Sequence, residues 1–468
     1  VEMLLIELNK ESEVPLYEQI YQQIRDDITV GKLAVGEKLP SKRKLGEFLD
    51  ISQTTIELAY GQLAAEGFIT SKPRKGYFVQ EIGELAYVQP TGTTTIISQE
   101  KKKELEIDFS PGKIDTGFFP FKQWRKYAKD VIDESSRHLL LLGHPHGDVE
   151  LRKEIAKYLY HSRGVDCSAD QIIVGSGTEQ LMPLLIRLLG PQAVYAIEDP
   201  GYPLTHHVFY HNNREALPIV VDEEGMDVHA LTQSEATVAY VTPSHQFPTG
   251  TVLSAARRTA LLNWAASSAG NFIIEDDYDS EFRYTGRPIP SLQGMDKAGN
   301  VIYLSTFSKS LMPSLRIAYM VLPSVLLEKY EKAFIHYSST VPRLDQHTLA
   351  RFMEDGHFAR HLNRMRKVYR RKLQLLTDSL HAYAPKISFS GDEAGMHILI
   401  SVHTDDDEDT LMERALAKGI RVYGLNEYRK VAKKLQPSFL IGFGGLEDAQ
   451  IPEAVRLLME AWTIEKRR

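Results

Sequence analysis

The sequence holds a single cysteine, Cys167, among 468 residues. That excludes an intramolecular disulfide and any metal site built from several cysteines, and it fits a reducing, cytoplasmic setting. No run of about 18 apolar residues occurs, so no membrane-spanning helix or membrane partner is expected. The first residues, Val1-Glu2-Met3-Leu4-Leu5-Ile6, lack the basic region and long apolar core of a signal peptide. An excess of positive charge is also lacking. With a net charge of −7, composition gives no reason to expect nucleic-acid binding, so local charge must carry that claim. No internal repeats appear. What remains is an ordinary globular composition, 43% hydrophobic and 25% charged, and a length suited to two or three domains.

The most informative stretch is Ser305-Thr306-Phe307-Ser308-Lys309-Ser310, followed by Leu315-Arg316. The apolar, β-branched run Val301-Ile302-Tyr303-Leu304 before it has strand length. It delivers a lysine flanked by hydroxyls, with an arginine beyond. A lysine amine forms a Schiff base with an aldehyde, while hydroxyls and a guanidinium fork suit a phosphate. An aldehyde that carries a phosphate is pyridoxal 5'-phosphate (PLP). A solvated lysine after a strand is the plainer alternative, and three upstream segments bear on it.

The first segment is Phe272-Ile273-Ile274-Glu275-Asp276-Asp277-Tyr278-Asp279, a buried-type strand running into carboxylates and a tyrosine. PLP needs a carboxylate at its pyridine nitrogen and often a phenol near the ring oxygen. A divalent ion on the acidic cluster is the other reading, though no metal site is expected here. The second is Ile172-Ile173-Val174-Gly175-Ser176-Gly177-Thr178, which reads as strand, glycine turn and helix start, a natural phosphate cradle. The third is Val194 to Tyr202, a strand ending in Asp199-Pro200-Gly201-Tyr202, whose aromatic suits stacking on a flat ring.

The first eighty residues read differently. Pro15 to Ile28 has apolar residues at helical spacing. Ser41 caps a short helix through Leu49, Ser52 caps a helix from Gln53 to Glu66, and Ser71 to Val79 forms a basic hairpin. Helix, helix, turn, helix and hairpin make a winged helix-turn-helix. Lys and Arg number ten against twelve Asp and Glu over residues 1–80. The positives gather at Lys42-Arg43-Lys44 and at Lys72, Arg74 and Lys75, which suits a one-sided DNA face.

Residues 81–106, with Pro90-Thr91-Gly92 and Lys101-Lys102-Lys103, read as a linker spanning roughly 25–30 Å as a random coil. From residue 107 helices and strands alternate, as in a doubly wound α/β domain, with a large part about 150–330 and a small α+β part about 331–468. Phe352 to Tyr383 reads as one long basic helix carrying Arg360, Arg364, Arg366, Arg370 and Arg371, a solvated connector rather than a DNA contact.

Taken together, Glu198-Asp199-Pro200-Gly201-Tyr202, Pro243-Ser244-His245-Gln246-Phe247-Pro248-Thr249-Gly250, Glu275 to Asp279 and Thr306 to Ser310 resemble the MocR subfamily of GntR-type regulators. These join a winged helix-turn-helix to a fold-type I aminotransferase-like domain. Leu39-Pro40-Ser41-x-Arg43-x-Leu45 and Lys75-Gly76-Tyr77-Phe78-Val79 carry the GntR part of the likeness. The resemblance implies that Lys309 bears the Schiff base, Asp276 meets the pyridine nitrogen, Tyr278 stands near the ring oxygen and Tyr202 stacks on the ring. It implies that Ser176, Gly177, Thr178, Thr306, Ser308 and Arg316 hold the phosphate. It also implies double-stranded operator DNA as partner, bound through Ser41, Lys42, Arg43, Ser52, Gln53, Thr54, Thr55, Lys72, Arg74, Lys75 and Gly76, and a homodimer.

Departures from the pattern matter as much. Many relatives carry arginine where Gln53 and Glu57 stand, so each head is expected to bind DNA weakly. Phe247 replaces an asparagine that meets the ring oxygen, and Ser244 or His245 is expected to substitute. Neither Pro203-Leu204-Thr205 nor Gln436 to Phe443 contains the arginines that hold an amino-acid carboxylate, with Lys434 the nearest replacement. The expectation is a cytoplasmic, non-enzymatic regulator in the vitamin B6-sensing, PdxR-like part of the subfamily, with PLP as effector. The alternatives are a regulator sensing an amino acid such as GABA through PLP, and a working aminotransferase with an accessory DNA-binding head.

Overall fold

The computed structural model describes residues 6–83, 107–286, 289–431 and 436–466. The chain divides into two compact units, Val1–Lys101 and Lys102–Arg468. From residue 84 on, the expected linker and its lysine run lie outside the described residues, as does Lys434.

In the first unit, α1 (Leu16–Thr29) buries Ile20, Ile24 and Ile28, one stripe of its surface. Two hydroxyl caps then fix a tight pair of helices. Ser41 accepts from the Lys44 N–H (3.3 Å) to start α2 (Lys42–Leu49), and Ser52 accepts from the Thr55 N–H (3.2 Å) to start α3 (Gln53–Ala65). The hairpin of β1 (Ile69–Lys72) and β2 (Gly76–Val79) follows, in the register Ile69 to Val79. One pairing has no signal in the sequence. The Gly36 N–H donates to Val79 O (2.9 Å) and the Leu39 N–H to Tyr77 O (3.0 Å), which lays Lys38 beside the hairpin.

The second unit opens with β3 (Ile107–Asp108). Its main sheet is built from β4 (Ile172–Gly175), β5 (Tyr195–Asp199), β6 (Ala216–Asp222), β7 (Gly225–Met226), β8 (Val238–Val241), β9 (Phe272–Asp277), β10 (Val301–Thr306) and β11 (Ala318–Val321). The strand order is β4-β11-β10-β9-β8-β5-β6-β7. Strands β6, β5, β8, β9 and β10 are parallel, and β11 runs antiparallel between β10 and β4. Strands β4, β5, β8 and β9 are buried at every position, which is why they read as continuous apolar runs instead of alternating ones.

A smaller antiparallel sheet joins β12 (Ile387–Ser390), β13 (His397–Val402), β15 (Tyr423–Gly424) and β16 (Ser438–Gly442) in the order β12-β13-β16-β15. Between β13 and β15, β14 (Ile420–Arg421) pairs in parallel with β3, so the start of this unit lies beside its last fifty residues. Phe282 packs on Tyr369 (ring centroids 5.0 Å) and Phe307 on Phe358 (5.4 Å), tying the long helix to the main sheet.

The long basic helix needs a correction. It is two helices, Arg343–Glu354 and His357–His381, broken at Gly356, whose φ of +72° lies in the left-handed region that glycine reaches without strain. Its arginines serve the unit itself. Arg366 and Arg370 donate to the carbonyls of Glu281 and Tyr284, Arg371 pairs with Asp448, and Arg360 caps the break through Asp355 O (2.7 Å). Among the described residues, no helix is long and apolar enough to cross a membrane.

Candidate cofactor site and DNA-binding face

At the carboxyl end of β10 the Thr306 hydroxyl accepts from the Ser308 N–H (3.1 Å) and lies 2.9 Å from Ser308 Oγ. This cap starts the short helix Phe307–Ser310 and turns Lys309 into a cavity of about 590 Å³. Burial pushes the Lys309 ammonium down to about 8, against the opposing pull of Asp279. A lysine shifted this way is a far better nucleophile near neutral pH than a solvated one. Its Nζ donates to Pro111 O (2.5 Å).

Strand β9 points successive carboxylates to opposite faces. Asp276 lines the cavity and accepts from the Tyr240 hydroxyl. Burial pushes its carboxyl up to about 7, offset by that hydroxyl. Glu275 caps the backbone of Leu292 (2.8 Å) and Gln293 (2.9 Å), and Asp277 pairs with Arg163 (2.6 Å) and Tyr303. Glu275, Asp276 and Asp277 therefore diverge and share no ion site. A cationic ring N–H on the cavity side of Asp276 would restore its carboxylate.

Gly177, Thr178 and Arg316 line the same cavity and form a cradle suited to a phosphate. Gly177 has φ +133°, and a Cβ there would stand 2.3 Å from Arg316 Nη2, so only glycine lets the guanidinium approach. The helix Thr178–Leu189 starts at this point and presents its first N–H groups. Arg316 is itself left-handed, at φ +52°, and pairs with Glu179. Gly177, Thr178, Thr306, Ser308 and Arg316 all line the cavity, as do Lys309, Asp276, Tyr278 and Tyr202. Phosphate-type donors, a buried carboxyl and an amine in one cavity fit PLP, which when bound supplies an aldehyde for the amine and a ring that accepts electrons.

Three expected cofactor residues are placed elsewhere. The Ser176 N–H turns to Thr340 Oγ1 (3.1 Å) and Gln180 Oε1 (3.2 Å). Ser244 accepts from the buried Arg163, and His245 lies behind Tyr278 on Asp279. The loop after β8 turns so that Phe247, not its neighbours, reaches the cavity. Sequence reasoning also missed Ser110-Pro111-Gly112, Thr242, Glu179, His207, Tyr423 and Tyr428, which line the cavity too. A turn signature was visible in Ser110-Pro111-Gly112, but nothing local marked Tyr428.

One side of the cavity is aromatic. The Phe247 ring packs edge-on against Tyr202 (5.2 Å) and Tyr428 (5.4 Å) and clusters with Leu425 and Leu440. Leu440, fully buried on β16, stands in the segment where an amino-acid-binding arginine was looked for. Asp199 accepts the N–H groups of Lys430 (2.7 Å) and Val431 (3.0 Å), and the Gly201 N–H donates to Tyr428 O (2.9 Å). These bonds hold Tyr428 and Tyr202 on the same side of the cavity.

On the first unit, Gln53 and Thr54 are exposed on the first turn of α3, while Ser52 and Thr55 bond to each other (2.8 Å) and Ser41 caps α2. Arg43 lies near Gln53 around a shallow depression. Lys42 pairs with Glu57 (2.5 Å), so the acid on the exposed side of α3 is partly neutralised from α2. Lys72 lies over the Phe78 ring (4.8 Å), and Arg74, Lys75 and Gly76 form the hairpin tip, with Arg74 at φ +62°.

The comparisons with known proteins agree with this division. Residues 106–458 match the family described as aminotransferase class I and II, and residues 16–79 match bacterial regulatory proteins, gntR family. The chain is 42% identical to the uncharacterised HTH-type transcriptional regulator YdeL of Bacillus subtilis, over 98% of this chain and 99% of that one. It is 29% identical to the probable rhizopine catabolism regulatory protein MocR of Rhizobium meliloti, covering 98% and 96%. It is also 29% identical to the pyridoxine biosynthesis regulator PdxR of Corynebacterium glutamicum, covering 97% and 99%. A kynurenine aminotransferase of Pyrococcus horikoshii, solved with PMP, superposes with a TM-score of 0.69 at 26% identity, over 77% of this chain and 91% of that one. A gntR-family reader and a class I and II aminotransferase fold thus share one polypeptide, and the chain belongs to the MocR-type GntR regulators.

Proposed function

We propose that this chain is a homodimeric, non-enzymatic regulator whose effector is PLP itself, and that it controls vitamin B6 synthesis genes. The observation that carries the reading is the aromatic side of the Lys309 cavity, Phe247, Tyr202 and Tyr428, backed by the buried Leu425 and Leu440. An amino-acid carboxylate there would lose water and gain no guanidinium among the described residues, a loss of roughly 1.5–3 kcal/mol for each missing charged hydrogen bond. Gly177, Thr178, Thr306, Ser308 and Arg316 for the phosphate and Asp276 for the ring nitrogen line the same cavity, which supports the reading. The printed role of the relative PdxR in pyridoxine biosynthesis supports the same choice.

For a signal, PLP must favour one conformation of the dimer over another. The test is operator affinity of apo protein, PLP-loaded protein and loaded protein with each amino acid at high concentration. A shift with PLP alone supports the reading. No shift with PLP, but a shift with one amino acid, favours an amino-acid sensor. Steady turnover of keto acids would identify an aminotransferase instead.

A further inference from the structure

Behind the cavity wall sits a buried row of polar groups that the phosphate, the ring nitrogen and the amine do not account for. Tyr278 Oη lies 3.0 Å from both the Nδ1 and the carbonyl oxygen of His245. His245 Nδ1 in turn lies 3.0 Å from Oδ2 and 3.2 Å from Oδ1 of Asp279. The His245 and Asp279 side chains are 1% and 2% exposed. His245 Nε2 is buried with no hydrogen-bond partner among the described residues.

These contacts fix the tautomer. A proton on Nε2 would have no acceptor, and the bare Nδ1 would then face a carboxylate. A proton on Nδ1 donates to Asp279 and leaves at Nε2 only an unused lone pair, the less costly defect. Nδ1–H also faces the Tyr278 oxygen, so the phenol cannot donate to it. Its O–H donates to the His245 carbonyl here, and only an acceptor in the cavity can draw that proton away.

The ring cannot drift from this post. Gly395, at φ +75°, passes so close that a Cβ there would meet His245 Cε1 at 2.1 Å. From β13, the His397 ring stands 5.0 Å away with its Nε2 on Pro248 O (3.2 Å), and burial holds its own pKa well below the usual histidine value. The titratable groups around His245 are thus Asp279, Tyr278 and His397, with Lys309 acting on Asp279 and His397 through its charge. His245, Asp279 and His397 bring ligand-type atoms within 4.8 Å of one another. The Nδ1–carboxylate bond and the engaged Nε2 of His397 nonetheless make the set a hydrogen-bonded relay, not a metal site.

We propose that His245, held by Asp279, is a positioning residue for Tyr278, keeping the phenol oxygen at the wall with its proton turned to the ring oxygen of PLP. The proposal rests on the PLP reading above, and it assigns the task of the absent asparagine to a pair acting from behind the tyrosine. A hydroxyl that donates to that oxygen favours its anionic form. Loosening Tyr278 therefore raises the pH at which the lysine-bound chromophore loses its proton.

The test uses PLP-loaded, full-length protein and reads the pH midpoint of the visible absorption band. His245→Leu and His245→Gln are expected to raise the midpoint by about one unit, the size of one lost charge-assisted hydrogen bond. His245→Asn, whose amide nitrogen stands near Nδ1, is expected to restore most of it. In a Tyr278→Phe background, His245→Leu should add nothing. If the leucine variant fails to fold, the Asn and Gln pair carries the same comparison. No shift in any variant, or equal shifts in both backgrounds, overturns the proposal. Wild-type protein with no borohydride-trapped adduct at Lys309 overturns the PLP reading itself, so the two failures are distinguishable.

Discussion

The Nζ of Lys309 donates to the carbonyl oxygen of Pro111, so the amine at the end of β10 is held by the first loop after β3. Together with its burial, which pulls its pKa to about 8, this makes Lys309 the expected attachment point for PLP. Borohydride reduction and mass spectrometry should place the adduct on Lys309, and Lys309→Ala should abolish it without unfolding the chain. An adduct on another lysine contradicts the assignment.

The same shift gives a pH dependence. Only the neutral amine attacks, so capture of PLP by apo protein should rise about tenfold per pH unit below about 8 and level off above it. A solvated lysine would keep rising toward about 10.4. Stopped-flow absorbance across pH 6–10 separates the two, and a rate still climbing above pH 9 contradicts the depressed value.

Arg316 pairs with Glu179, which sits at the phosphate cradle beside Gly177. A phosphate must share or displace that carboxylate. Arg316→Ala is expected to weaken PLP binding by about ten- to a hundredfold, the range for a charged hydrogen bond. Glu179→Gln should strengthen it a few-fold. Spectroscopic titration checks both, and a weaker Glu179→Gln variant would show that the carboxylate supports the cradle.

Lys42 and Glu57 form the corresponding pair on the DNA-binding unit. Glu57→Gln removes a negative charge from the exposed side of α3 and frees Lys42. Affinity for duplex DNA should rise several-fold and the salt slope steepen by about one. Reversing Lys42, Arg43, Lys72 and Arg74 to glutamate should remove binding. Unchanged affinity in a mobility-shift titration would place the DNA face elsewhere.

Asp199 is buried and accepts two backbone N–H groups from the segment that carries Tyr428. Asp199→Ala leaves those groups unpaired and should cost about 3 kcal/mol. The loss is expected first as faster hydrogen exchange over residues 425–431, before global unfolding. Equal protection in the variant would mean that the segment is held by its other contacts.

The legible parts of this chain were the local ones. Caps at Ser41 and Ser52, the strand ends carrying Asp276 and Lys309, and the glycine turn at Gly177 each announce themselves within a few residues. Gly356 was less visible, because a glycine in a helical pattern is usually tolerated and only the φ of +72° makes it a break. Ser244 and His245 are polar residues near Phe247 that could replace the family's asparagine, but the loop turns between them and Phe247, and only Phe247 of the three lines the cavity. Tyr428 was invisible, and Pro111 was marked only as part of a turn, because the two reach the cavity of Lys309 from opposite ends of the unit. No local pattern encodes a meeting of that kind.

The pairing of β3 with β14 sets an order of events during synthesis. The Tyr423 hydroxyl meets Asp108 across 315 residues, so the first strand of the second unit waits for its partner until most of the chain exists. At about 5–20 residues per second, that wait is roughly 15–60 s. The three helices and hairpin of the first unit need only contacts within residues 6–83. A growing chain thus carries a finished reader of DNA for much of a minute before it owns anything to regulate it.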